Sequence, residues 1–165
     1  MTTKVSKLLV DIKNVKRNNY CIYIGNNNFI SNIKQYCSGC ALGKVAIATN
    51  FTVFSLYKKV LEKSDLNYNL ILIPDGEKYK TNKTVNKIYD KLISYNFSRD
   101  STIIAIGGGV AGDIAGFVAS TYQRGINLIH IPTTLMAQVD SSIGGKTGYN
   151  HKVGKNLIGS FYQPK

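Results

Sequence analysis

Between Lys44 and Ile131 the chain keeps alternating a short apolar run with a stretch whose apolar residues recur at helical spacing. Lys44–Thr49 (KVAIAT) reads as a buried strand, and Phe51–Lys63 then sets Val53, Phe54, Tyr57, Val60 and Leu61 on one helical face. Leu70–Ile73 and Thr81–Tyr95, with Val85, Ile88, Leu92 and Tyr95 in one stripe, repeat the unit. Thr102–Ile106 with Val110–Tyr122 repeats it again, and Asn127–Ile131 adds a last strand. Strands that alternate with helices pair in parallel through right-handed crossovers. The expected fold class is therefore α/β: a Rossmann-like, open, mostly parallel sheet with helices on both faces. Pro74 and Pro132 directly follow two of the apolar runs and punctuate the strand ends.

At 165 residues the chain suits one domain, and 44% hydrophobic with 18% charged residues excludes a disordered chain. No apolar run approaches the ~20 residues needed to cross a bilayer, so no membrane partner is expected. Met1–Asp11 lacks the apolar core of a secretory leader, which points to a cytosolic, reducing location. Residues 1–43 are less regular and should add an edge strand or hairpin, a turn at Asn26–Asn28 and a short helix up to Gly39 or Gly43. Residues 132–165 hold glycines at 144, 145, 148, 154 and 159 without either period, and read as a glycine-rich loop region for substrate or cofactor. The Cys37–Cys40 CxxC has no second pair or spaced histidines beside it, so no metal site is expected. A formal charge of +12 favours anionic partners. The lysines are scattered from Lys4 to Lys165 with no aromatic-basic recognition motif, which ranks nucleic acid last.

The stretch Ile103–Asp113 (IIAIGGGVAGD) runs a buried strand into four glycines and then a helix. Glycines there permit a sharp turn and let a phosphate reach backbone N–H groups at a helix N-terminus. Gly107, Gly109 and Gly112 fit G-x-G-x-x-G, but the next strand ends in His130-Ile131-Pro132 without the acid that usually holds a ribose. A variant dinucleotide site and a tight turn with close helix packing both remain open. Asp75-Gly76-Glu77-Lys78-Tyr79-Lys80 follows the second strand: its acids suit ribose hydroxyls and Lys80 a phosphate, or the segment is a charged turn capping the next helix. Gly145-Lys146-Thr147 imitates the end of a Walker A loop, but Asp140 stands where its first glycine belongs, which rejects a P-loop. Lys146, Lys152, Lys155, Asn156 and, farther back, Arg124 suit an anion; a solvated basic loop is the alternative. His130 reads as core, and His151 fits either role.

Taken together, DGEKYK at 75–80, GGGVAGD at 107–113, YQRG at 122–125, IPTTLMAQVDSSIGGKTGYNHKVGKN at 131–156 and IGSFYQP at 158–164 resemble the 3-dehydroquinate synthase family. The resemblance runs in order over roughly residues 40–165, and GGK at 144–146 resembles the dehydroquinate branch of the sugar-phosphate cyclases. It implies a phosphate-eliminating carbon–oxygen lyase of the shikimate pathway that uses NAD catalytically on a seven-carbon sugar phosphate. By resemblance, Asp75, Glu77, Lys80, Gly108, Gly109, Val110, Asp113, Thr133, Thr134, Lys146 and Lys155 contact NAD. Asp140, Lys146 and Asn156 face the substrate, and Arg124 reaches its phosphate, in the same or a neighbouring subunit of a homodimer. The family's divalent metal, zinc or cobalt, is held by a Glu and two His that have no counterpart in this sequence. The chain is therefore expected to be the N-terminal, nucleotide-binding half of such an enzyme, inactive alone; the alternative is a non-catalytic nucleotide-binding or interaction module on the same fold.

Overall fold

The computed structural model describes residues 6–10, 19–25, 33, 43–64 and 66–165. The Asn26–Asn28 turn, the helix expected before Gly43 and the Cys37–Cys40 pair lie outside them. Strands β1 (Ser6–Val10) and β2 (Tyr20–Ile24) pair antiparallel, from Ser6 opposite Ile24 to Val10 opposite Tyr20, and form a two-stranded sheet of their own.

The centre is a four-stranded parallel sheet in the order β4-β3-β5-β6, made of β3 (Val45–Thr49), β4 (Tyr68–Leu72), β5 (Thr102–Gly107) and β6 (Asn127–Pro132). Helices α1 (Phe51–Glu62), α2 (Asn82–Ser94) and α3 (Gly109–Thr121) make the crossovers. Each strand and helix expected between Lys44 and Ile131 is present, with ends shifted by one or two residues. Period-two alternation decides which helix meets which face. Along β5, Ile103 and Ala105 join Ala46, Ile71, Val85, Leu92, Ile114 and Val118 in the core beneath α2 and α3. Ile104 and Ile106 join Ile47, Leu61 and Ile131 beneath α1. All four of these β5 side chains are at most 2% exposed, and each full burial of a branched aliphatic contributes about 1.5–3 kcal/mol. The chain moves outward from β3 to β4, then crosses back over β3 to β5, so the direction of winding reverses between β3 and β5. The carboxyl ends of strands at such a switch point form a crevice where open α/β sheets bind ligands.

The structure corrects one expectation. Residues 132–165 are not one long loop: a π-helical turn at Ala137–Ser141 leads into an antiparallel hairpin of β7 (Lys146–His151) and β8 (Gly154–Phe161). The hairpin packs on α3, whose Gly116 has no room for a methyl against the Thr147 side chain. The Phe117 and Tyr149 rings meet edge to face at 5.1 Å, and the Ser160 hydroxyl bonds those of Ser120 (2.7 Å) and Thr147 (2.8 Å). Covered by both sheet and hairpin, α3 buries Ala111, Gly112, Ile114, Ala115, Gly116, Val118 and Ala119, which explains why it is apolar nearly all round. Among the described residues no helix is long and apolar enough to cross a membrane.

Candidate functional site

At the crevice β5 ends in Gly107 and α3 begins at Gly109. The first-turn amides of a helix need partners from outside it. For α1 the Asn50 side chain accepts from the Val53 N–H at 2.7 Å, and for α2 the Thr81 hydroxyl accepts from the Thr84 N–H at 3.4 Å. The N-cap of α3 is Gly108, which makes no side-chain cap, so the amides of its first turn face the crevice uncapped. Side chains of the helix itself and of the segment after β6 approach the same turn. A Cβ on Gly107 would sit 2.9 Å from the Ala111 Cβ, one on Gly108 3.3 Å from Thr134 Cγ2, and one on Gly109 3.4 Å from Ser141 Oγ. Thr133 is fixed by its N–H to the Gly107 carbonyl (3.0 Å), and the Thr134 hydroxyl accepts from the Ala137 N–H (3.2 Å). A bare backbone cradle with a positive helix end can hold a phosphate group.

Beside it lies a polar network. Lys80 follows the short 3-10 turn Glu77–Tyr79 and is only 5% exposed. A buried ammonium requires an anion and acceptors; Lys80 Nζ donates to Asp113 Oδ2 and, at 2.7 Å, to Asn156 Oδ1. The Lys80 ammonium thus engages side chains, where sequence reading assigned it to a phosphate. Burial pushes the Asp113 carboxyl above its ordinary pKa, the bond and charge of Lys80 pull it back, and the charges of Glu77 and Asp140 push it up again. Asn150 donates from Nδ2 to Glu77 Oε1 at 2.7 Å, and its Oδ1 accepts the Asn156 N–H at 2.9 Å.

Glu77, Lys80, Asp113 and Asn156 are therefore brought together, with Gly108, Gly109, Val110, Thr133 and Thr134 along the same crevice edge. Asp75 stands after β4, where its Oδ2 accepts from the Thr52 hydroxyl at 3.0 Å. Glu77 and Lys155 share a cavity of about 710 Å³ with Lys78, Tyr149, Asn150, His151 and Lys152; the glycine turn does not line it. Lys146 leaves the Gly144-Gly145 turn, where Gly145 has φ 71° and accepts the Tyr162 N–H at 2.7 Å. Asp140 lies in the π-helical turn. Arg124 stands apart. It follows α3 at the end opposite the cradle, about 20 Å along a helix of this length. Its turn holds Gln123, Arg124 and Gly125 all at positive φ (51°, 62° and 121°). His130 points to the α3 side of β6, against Gly112, and burial lowers its pKa to about 4, so it is neutral. Sequence reading missed Asn150 and Ser141, because each acts only through a neighbour that the fold supplies. Among the described residues no three His, Cys, Asp or Glu side chains are grouped to hold a metal ion.

Known proteins with this arrangement are consistent in kind. The profile of the family described as 3-dehydroquinate synthase N-terminal matches residues 70–165. The 3-dehydroquinate synthase of Vesicomyosocius okutanii is 52% identical over 150 residues, which are 88% of this chain and 41% of that protein. That of Geobacter metallireducens is 51% identical over 146 residues, 86% of this chain and 41% of its own length. The chain thus spans about two fifths of the curated relatives it matches. Among solved structures, a 2-deoxy-scyllo-inosose synthase complexed with carbaglucose-6-phosphate, NAD+ and Co2+ superposes with a TM-score of 0.82 at 25% identity, over 97% of this chain and 44% of that one. The 2-epi-5-epi-valiolone synthase of Streptomyces hygroscopicus, with NAD+ and Zn2+ bound, gives 0.69 at 33% identity, over 73% of this chain and 35% of that one. Sheet order, glycine turn and hairpin motifs are all accounted for by one conclusion: the chain belongs to the 3-dehydroquinate synthase family and matches its N-terminal part.

Proposed function

We propose that this chain is the NAD-binding part of a cytosolic 3-dehydroquinate synthase, a phosphate-eliminating carbon–oxygen lyase. The whole enzyme converts 3-deoxy-D-arabino-heptulosonate 7-phosphate to 3-dehydroquinate and phosphate in the shikimate pathway. The observation that carries this reading is the first turn of α3 at Gly108, which has no side-chain cap and where a Cβ would press within 3.3 Å of Thr134. When bound, NAD supplies a hydride acceptor that is restored within each turnover. The amides of Gly109, Val110 and Ala111 hold its diphosphate, and Thr133 and Thr134 close over that group. Asp75 and Glu77 accept ribose hydroxyls, while Lys155 adds positive charge. Lys80 orients Asp113 and Asn156 from below. Asp140, Lys146 and Asn156 bind the substrate's polar groups, with Lys146 the cation for an anionic one. Arg124, displayed on a strained turn far from the cradle, serves the substrate phosphate of a second copy in a homodimer. Among the described residues no three His, Cys, Asp or Glu side chains are grouped to hold the zinc or cobalt of the family, and the chain by itself is expected to bind NAD without turnover.

Calorimetric titration tests this directly. The chain should bind NAD, and Gly109→Val, whose branched side chain fills the cradle against Ser141, should abolish binding with the far-ultraviolet circular dichroism unchanged. Unaltered affinity in that variant refutes the cradle.

A further inference from the structure

Three segments meet at the seam between sheet and hairpin: the turn at residues 77–80, strand β7, and the start of β8. Asn150 joins all three. Its backbone N–H donates to the Lys80 carbonyl at 2.7 Å, its Nδ2 donates to Glu77 Oε1 at 2.7 Å, and its Oδ1 accepts the Asn156 N–H at 2.9 Å. The strand register shifts between Tyr149 and His151, so Asn150 sits on an irregularity of the kind that re-aims a side chain out of the ladder. Asn156 holds φ 56°, a left-handed conformation that its surroundings must fix. An amide side chain can donate to a carboxylate through its nitrogen and accept from a backbone N–H through its oxygen at once.

We propose that Asn150 is a positioning residue: it ties the Glu77 carboxylate to the left-handed Asn156 and so holds Glu77 in the geometry that receives the dinucleotide, an inference that rests on the NAD reading above. Asn150 does not itself contact the reacting groups; it acts through Glu77 and Asn156. Two of its three bonds come from the side chain, and one of those ends on a charged acceptor.

The test pairs NAD titration with amide hydrogen exchange at Asn156 on the same chain. Asn150→Ala should make the Asn156 amide exchange about tenfold or more faster and weaken NAD binding by a similar factor, the scale of a lost bond to a charged group. Asn150→Asp keeps the acceptor for Asn156 but sets a carboxylate against Glu77, so protection should stay while affinity falls. Adding Glu77→Gln to Asn150→Asp restores a donor–acceptor pair, and the double variant should bind NAD more tightly than Asn150→Asp alone, an exchange a merely structural residue would not show. A folded Asn150→Ala chain that binds NAD within twofold of the unaltered one overturns the proposal, as does a double variant no tighter than Asn150→Asp. If Asn150→Ala does not fold, the Asn150→Asp pair decides. If the unaltered chain binds no NAD, the cofactor reading fails, and unchanged Asn156 protection in Asn150→Ala then overturns the positioning role separately.

Discussion

The parallel sheet and the β7–β8 hairpin both pack on α3, yet different forces hold them. In the sheet, β3 and β5 are buried throughout and the stabilisation is apolar. In the hairpin, Val153, Leu157 and Phe161 are exposed, and the strands are kept in place by hydroxyl bonds and by Gly148 facing Gly159. The candidate site lies on the seam between them. A site so placed can be broken through its polar pins without unfolding the domain, because the sheet carries most of the stability.

Four substitutions sharpen that contrast. The largest effect belongs to Ile104→Ala: it empties a fully buried position between β5 and α1 and should lower stability by about 2–5 kcal/mol in denaturant unfolding. Gly159→Ala sets a methyl against the Thr147 carbonyl oxygen. Overpacking of that kind costs about 1–3 kcal/mol, and here it should displace the hairpin. NAD affinity should then fall while the circular dichroism of the sheet persists; retained affinity would separate hairpin and site. Third comes pH. His130 has its pKa lowered to about 4 in the fold, against an ordinary 6.5. Unfolding therefore takes up a proton, so the contribution to stability is present above 6.5 and is lost as pH falls from there through about 4. His130→Gln should flatten that part of the profile of denaturation midpoint against pH. The smallest effect is expected for Lys58→Met, which removes the exposed Lys58–Glu62 pair on α1 (3.7 Å) and should change stability by under about 0.5 kcal/mol.

The same contrast decides what could be read from the amino acids alone. Ile103 to Ile106 send alternate side chains to the two opposite faces of the sheet, and the apolar stripe Val85, Ile88 and Leu92 meets one of those faces, so β3–β6 and their helices follow from periodicity. The hairpin has no such stripe. Its strands depend on Gly148 and Gly159 permitting close approach and on Thr147 bonding the Ser160 carbonyl, features with no period. The site divides in the same way. Gly108 and Gly109 marked a strand-to-helix turn that suits either a cradle or close helix packing, and the structure shows that turn without a side-chain cap. The meeting of Lys80 with Asp113 and Asn156, and the part played by Asn150, exist only once the hairpin folds back over the turn at residues 77–80. Arg124 was legible as a cation near an anion site, but not as one placed at the other end of α3.

If backbone amides at the start of α3 grip the diphosphate of NAD, a crystal of this chain soaked with NAD will show it there. The two phosphoryl groups should lie within hydrogen-bond distance of the Gly109–Ala111 amides, beneath Thr134. Dinucleotide bound elsewhere, or solvent alone over an intact glycine turn, contradicts it.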